Sequence, residues 1–144
     1  MLSFLTDDKK IIDEGMSAAL VSSCGEQDKI VEAMRYSALG GKRLRGVLVL
    51  EFAKMLGCKS EDALPYALGI ECVQAYSLVH DDLPCMDNDD MRRGKPSCHI
   101  AFGESTAVLA GDALLTHAFS VITESEAAAA HPERAVKAVA KLAN

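Results

Sequence analysis

Apolar residues recur along the chain at helical spacing, and no segment shows the period of two that marks a half-buried strand. A first helix is predicted over about residues 7–21, with Ile11, Ile12, Gly15, Ala18 and Ala19 on or near one side. "SSCGE", residues 22–26, breaks it. A second spans about 27–39 with Ile30, Val31, Met34 and Ala38 as its stripe, and Gly40-Gly41 stops it. A third, over about 43–56, contains "LRGVLVLEFAKML" and is apolar enough to be expected buried. The fourth begins near Ser60, carries Glu61 and Asp62 at its positive end, holds Pro65 in its first turns and runs to about Asp82. Pro84 disfavours helix in the residue before it. Residues 83–103 read as a long loop, 104–123 as a fifth helix, and a sixth starts after Pro132. Short connections between apolar helices predict an all-α bundle. The last helix is still in pattern at Asn144. Residues 1–144 are therefore expected to form the N-terminal part of one all-α domain that continues further.

Composition narrows the picture. The chain has 144 residues, 49% hydrophobic and 25% charged, which suits one globular unit with a sizeable core. A net charge of -6 argues against nucleic acid as a partner. "MLSFLTDDKK" lacks the apolar core of a signal peptide, and no stretch is expected to supply the roughly 18 apolar residues of a membrane span. A cytoplasmic location is expected. The five cysteines, 24, 58, 72, 85 and 98, show no CxxC spacing and are expected to be reduced thiols.

Charge is concentrated where the fourth helix ends. "VHDDLPCMDNDDMRRGKP", residues 79–96, carries Asp81, Asp82, Asp87, Asp89 and Asp90, then Arg92, Arg93 and Lys95. Carboxylates at a helix C-terminus face a dipole already negative, so the placement is unfavourable by a few tenths to about 1 kcal/mol each. A solvated acidic loop is the plainer alternative. Against it, the acids terminate an almost wholly apolar helix, Gln74, Ser77 and Asp81 form a polar stripe along it, and cations follow directly. Hard divalent cations collect such carboxylates, and Mg²⁺ usually takes one or two together with substrate phosphates. An EF-hand is excluded, because its glycine and bidentate glutamate are missing. A His-Asp phosphohydrolase site, suggested by His80-Asp81, needs an earlier histidine, and none precedes residue 80. "GGKRLR", residues 40–45, is the mirror case: Lys42, Arg43 and Arg45 sit at a helix N-terminus, where N–H groups already attract anions. The spacing is not that of a P-loop, and a solvated basic turn is its alternative. Together the two clusters suggest two neighbouring anion sites above an apolar bundle. A molecule with a diphosphate head and a hydrocarbon tail matches that description.

"GGKRLR", "YSLVHDDLPCMDNDDMRRGKPSCH" and "AGDALL", in this order, resemble the trans-prenyltransferases of the farnesyl and geranylgeranyl diphosphate synthase group. The resemblance implies an isoprenoid synthase helical bundle, usually a homodimer, that joins isopentenyl diphosphate head to tail with an allylic diphosphate (dimethylallyl or geranyl). It implies that Asp81, Asp82 and Asp87 hold Mg²⁺ on the allylic diphosphate and that Arg92 grips the same group. Gly41, Lys42, Arg45, Gln74 and Arg93 then belong to the isopentenyl diphosphate site. Tyr76, five residues before Asp81, and its neighbour Ser77 fall where the family sets product length. An aromatic there resembles farnesyl producers, so a C15 product is expected over C20. The family's second aspartate-rich motif is not found in this sequence. That departure leads to two further expectations: the chain is the N-terminal half of a synthase, inactive alone, and a non-catalytic partner subunit of the same fold is the alternative to an enzyme.

Overall fold

The computed structural model describes residues 3–21 and 28–144. Eight helices and one small hairpin follow in the order α1 (Ser3–Ala19), α2 (Asp28–Ala38), α3 (Leu44–Met55), α4 (Ser60–Asp81), β1 (Met91–Arg92), β2 (Lys95–Pro96), α5 (Cys98–Phe102), α6 (Glu104–Thr123), α7 (Glu126–Ala130) and α8 (Pro132–Leu142). The expected break at 22–26, the proposed start of α2 at Gln27, and Cys24 lie outside the described residues.

α4 is the axis of the bundle, packed against α1, α2, α3, α6 and α7. Two glycines let its neighbours come close. A Cβ at Gly46 of α3 would stand 2.9 Å from Ile12 Cδ1 and 3.3 Å from the Ala67 carbonyl oxygen of α4. A Cβ at Gly69 of α4 would stand 2.7 Å from Ile122 Cδ1 and 3.1 Å from the Ala118 carbonyl oxygen of α6. Small residues dominate these seams: Ala63, Ala67 and Ala75 on α4 and Ala107, Ala110 and Ala118 on α6 are buried.

Several sequence expectations are corrected. The buried stripe of α1 is Asp8, Ile12, Met16 and Leu20, while Ile11 and Ala18 are exposed. A charged residue, Asp8, opens that stripe because Lys54 of α3 reaches across to it at 2.6 Å. α3 is not buried throughout. Gly46, Val47 and Leu50 face the core, whereas Leu44, Leu48, Phe52, Met55 and Leu56 are exposed. The loop 83–103 contains a hairpin with Met91 opposite Pro96 and Arg92 opposite Lys95, and then α5. Its two turn residues, Arg93 and Gly94, both have positive φ (52° and 77°), which matches the twist of the flanking strands. α7 also escaped the periodicity; its start is capped by Ser125, whose Oγ accepts from Ala128 N at 3.1 Å. α6 is long and apolar enough to cross a membrane by length and composition, contrary to the expectation. Here its apolar side is the seam against α4, through Ala107, Ala110, Gly111, Leu114, Ala118 and Ile122.

Candidate functional site

Two charged regions meet at the end of α4. The acidic one is a turn. Leu83 O accepts from Met86 N (2.9 Å) and Asn88 N (3.1 Å), and Asn88 is left-handed. The chain thereby folds back, and Asp87 N donates to Asp81 O at 2.8 Å. Residues six apart in sequence become neighbours. Asp81 is half-buried and Asp87 exposed, and neither side chain makes a hydrogen bond or ion pair among the described residues.

Asp82 differs from both. It is 2% exposed, and Arg92 Nε donates to its two oxygens at 2.8 and 2.7 Å. Arg92 Nη2 adds a third bond to Oδ1 and lies 3.6 Å from Asp89. The hydrogen bonds to Asp82 hold the Arg92 proton more tightly than usual. So Asp82 stands as the anchor of the hairpin, and Arg92 keeps Nη1 outside these bonds. The donor set suits magnesium in part: two carboxylates, Asp81 and Asp87, match a cation that keeps waters and substrate oxygens as its remaining ligands. Among the described residues no group of three or more His, Cys, Asp or Glu forms a metal cage.

The hairpin is clamped to α2. Tyr36 OH donates to Pro96 O at 2.7 Å, and Lys95 donates to the Tyr36 carbonyl while its Nζ lies 3.8 Å above the Tyr36 ring. Burial first, then the Arg93 charge, lowers the Lys95 pKa from its ordinary value. Lys95 therefore fixes the hairpin, and the cations of the run divide by role.

The basic region is a cleft of about 510 Å³ lined by Gly40, Lys42, Arg43, Leu44, Arg45, Glu71, Gln74 and Arg93. Lys42 and Arg45 are exposed and Gln74 half-buried. Gly41 contributes space: a Cβ there would lie 3.3 Å from Arg93 Nη2 and 3.4 Å from Nη1. The Arg93 guanidinium thus rests on Gly41, and desolvation followed by the Arg43 and Arg92 charges lowers its pKa. Arg43 lines the cleft, but its guanidinium is engaged by carboxylates. It is left-handed and buried, with Nε 2.7 Å from Asp13 Oδ1 and Nη1 3.4 Å from Glu71 Oε2. Asp13 is desolvated, which raises its pKa, but hydrogen bonds from Lys9 and Arg43 outweigh this and lower it overall. Glu71 also accepts from Gly46 N at 2.9 Å, so a protein carboxylate already takes one N–H at the start of α3. That N–H is therefore taken by Glu71, and the cationic character of the cleft comes from the side chains of Lys42, Arg45 and Arg93.

Glu71 was missed in the sequence, although a lone acid in the apolar run "ALGIECVQAY" is the signal for it. Tyr76 is half-buried against the core and packs edge-on with His80. Ser77 Oγ donates back to Gln74 O at 3.0 Å. Cys58, Cys72, Cys85 and Cys98 are free thiols, and burial pushes Cys72 up to about 12.

The fold and site thus define a helical bundle with an acidic turn and a basic cleft held side by side. A family model, polyprenyl synthetase, matches residues 27–144. The chain belongs to that family. It is 43% identical over 143 residues to the farnesyl diphosphate synthase of Bacillus subtilis, covering 99% of this chain and 48% of that protein. It is 44% identical over 144 residues to heterodimeric geranylgeranyl pyrophosphate synthase large subunit 1 of Arabidopsis thaliana, covering 99% and 38%. The crystal structure of an FPP/GFPP synthase from Zymomonas mobilis superposes with a TM-score of 0.92 at 41% identity, covering 98% of this chain and 51% of that one. The chain spans about half the length of the curated relatives it matches, or less.

Proposed function

We propose that this chain is the N-terminal half of a magnesium-dependent synthase, homodimeric when full-length, that joins isopentenyl diphosphate to an allylic diphosphate and releases farnesyl diphosphate. The observation that carries the reading is the juxtaposition of the acidic turn with the basic cleft through Arg92 and Arg93, which are adjacent in the chain and serve one side each. Asp81 and Asp87 would hold the metal. Bound magnesium would supply Lewis-acid neutralisation of the diphosphate on the allylic substrate. Arg92, anchored by Asp82, presents Nη1 to that diphosphate. Lys42, Arg45 and Arg93 take the isopentenyl head group, with Gln74 beside them. Holding both head groups fixes the reacting carbons close together. As the allylic carbon–oxygen bond breaks, diphosphate leaves; the isopentenyl double bond attacks the allylic cation, a proton then leaves to the released diphosphate, and the apolar walls of the bundle keep water from the cation. A reducing, cytoplasmic setting accompanies the proposal, supported by the free thiols.

Tyr76 supports C15. The diphosphate end lies near Asp81, and the tyrosine stands about 7.5 Å down the helix axis at about 1.5 Å per residue. A C20 product is the second reading, favoured by the 46% identity to a geranylgeranyl synthase of Capsicum annuum. The test is incubation of the full-length protein with radiolabelled isopentenyl diphosphate and geranyl diphosphate. Magnesium-dependent incorporation into a C15 alcohol after dephosphorylation is expected; no incorporation would overturn the proposal. Asp81→Ala or Asp87→Ala should lower kcat by at least ~10²-fold, the scale of losing one electrostatic stabiliser. Lys42→Ala or Arg45→Ala should chiefly raise KM for isopentenyl diphosphate. The 144-residue chain alone should show no condensation.

A further inference from the structure

His80 stands immediately before Asp81 and four residues after Tyr76 on α4. Its imidazole is seated against α6 in a notch that Gly111 leaves open. A Cβ at Gly111 would come within 2.2 Å of Nε2 and 2.4 Å of Cδ2, so no other residue leaves the ring where it is. His80 Nε2 lies 3.0 Å from the Val108 carbonyl oxygen. A carbonyl has no proton to give, so Nε2 carries the hydrogen and donates. Asp112 Oδ1 lies 3.8 Å from the same nitrogen, beyond hydrogen-bond distance.

The same imidazole meets the Tyr76 ring edge-on, with centroids 4.9 Å apart and planes at 75°. Residues four apart on a helix share a face, so this contact follows from their spacing. A tyrosine on a helix has two accessible χ1 positions, near 180° and −60°. Changing between them swings the ring away from its neighbour. An aromatic ring stops a growing hydrocarbon tail only while it stays in one place. The imidazole is the partner that Tyr76 would lose in such a swing, and the imidazole is itself tied to a different helix.

We propose that His80 and Gly111 are specificity-determining residues: the histidine, seated in the Gly111 notch and bonded to Val108, holds the Tyr76 ring in the position that limits product length. The inference rests on the reading of Tyr76 as the floor of the tail cavity. It places the control of chain length on α6 as much as on α4. A residue larger than glycine at position 111 acts on the product without touching it.

The test measures product distribution by chromatography in the full-length enzyme, with circular dichroism as the check on folding. Gly111→Ala and His80→Gln should both shift product toward longer chains, in the direction of Tyr76→Ala. His80→Gln keeps a side-chain donor and removes only the ring, so it decides the matter if Gly111→Ala does not fold. The double variant Tyr76→Ala/Gly111→Ala should match Tyr76→Ala alone, because both act through one ring. A merely structural defect would lower the rate without lengthening the product. In ¹⁵N NMR of the imidazoles, His80 should carry its proton on Nε2 in the parent, and this signature should be lost in Gly111→Ala. If Tyr76→Ala lengthens the product while folded Gly111→Ala and His80→Gln leave it unchanged, the inference is overturned and the floor reading survives. If Tyr76→Ala changes nothing, the floor reading fails and the inference with it.

Discussion

At the scale of single residues, Asp82 and Arg92 form an anchored pair rather than two independent ligands. The pair is asymmetric: the Asp82 side chain is 2% exposed and that of Arg92 31%. Removing the arginine leaves a buried carboxylate without its cation, whereas removing the carboxylate leaves a guanidinium that water can reach. Breaking a buried pair costs about 3–5 kcal/mol when the survivor stays buried. Arg92→Met should therefore destabilise by about that amount, and Asp82→Asn by clearly less, in urea unfolding followed by circular dichroism. Equal losses would show that burial of the carboxylate does not set the cost. Both residues were legible in the sequence as members of a charged cluster. Their pairing was not, because it depends on the hairpin folding Arg92 back over the end of α4, ten residues downstream of Asp82. Glu71 and Arg43 show the same limit: each lies in a segment whose composition says one thing, apolar or anion-binding, and whose packing gives it another task.

At the scale of elements, the long helices were legible because burial of one face repeats every turn, and their ends agree with the structure to within a few residues. The hairpin and α5 were not. Two-residue strands are too short for alternation to register, and Arg93-Gly94 replaces the asparagine-glycine pair that usually announces such a turn. The tight seams between helices also escape a one-dimensional reading, since a glycine in a helix looks like a mere lapse in propensity. Gly69→Ala tests this. Its Cβ would press on Ile122 and on the rigid Ala118 carbonyl, so the gain in helix propensity should be outweighed, with a net loss of about 1–3 kcal/mol in denaturant unfolding. Ile122→Val in the same chain should recover part of the loss. A neutral or stabilised Gly69→Ala would mean the α4–α6 seam has slack.

At the scale of the whole molecule, α3 carries a continuous apolar face. Leu44, Leu48 and Phe52 follow at four-residue intervals and are 58%, 56% and 59% exposed, and Met55 and Leu56 extend the stripe at 79% and 86%. Exposed apolar side chains in one contiguous row favour association. The 144-residue chain should therefore self-associate in sedimentation velocity, and Leu48→Glu/Phe52→Glu should reduce the associated fraction without loss of helical signal. A monodisperse parent chain at micromolar concentration would count against this. Composition alone made α3 a buried helix; only the packing of its neighbours shows that one side is covered and the other is not.

The sequence by itself determined the helical class, the order of the long helices, the family resemblance and the chemical types gathered at the end of α4. Those properties are local: periodicity, dipole placement and motif spacing are all properties of adjacent residues. The tertiary structure decided which charges are partnered and which are presented. It paired Arg92 with Asp82, turned Arg43 to Asp13 and Glu71, tied Lys95 to Tyr36, and left Asp81, Asp87, Lys42 and Arg45 without a side-chain partner among the described residues. The physical reason is that an ion pair forms between groups brought within about 4 Å. That proximity is set by how whole helices and one short hairpin pack, not by the residues on either side of a charge in the chain.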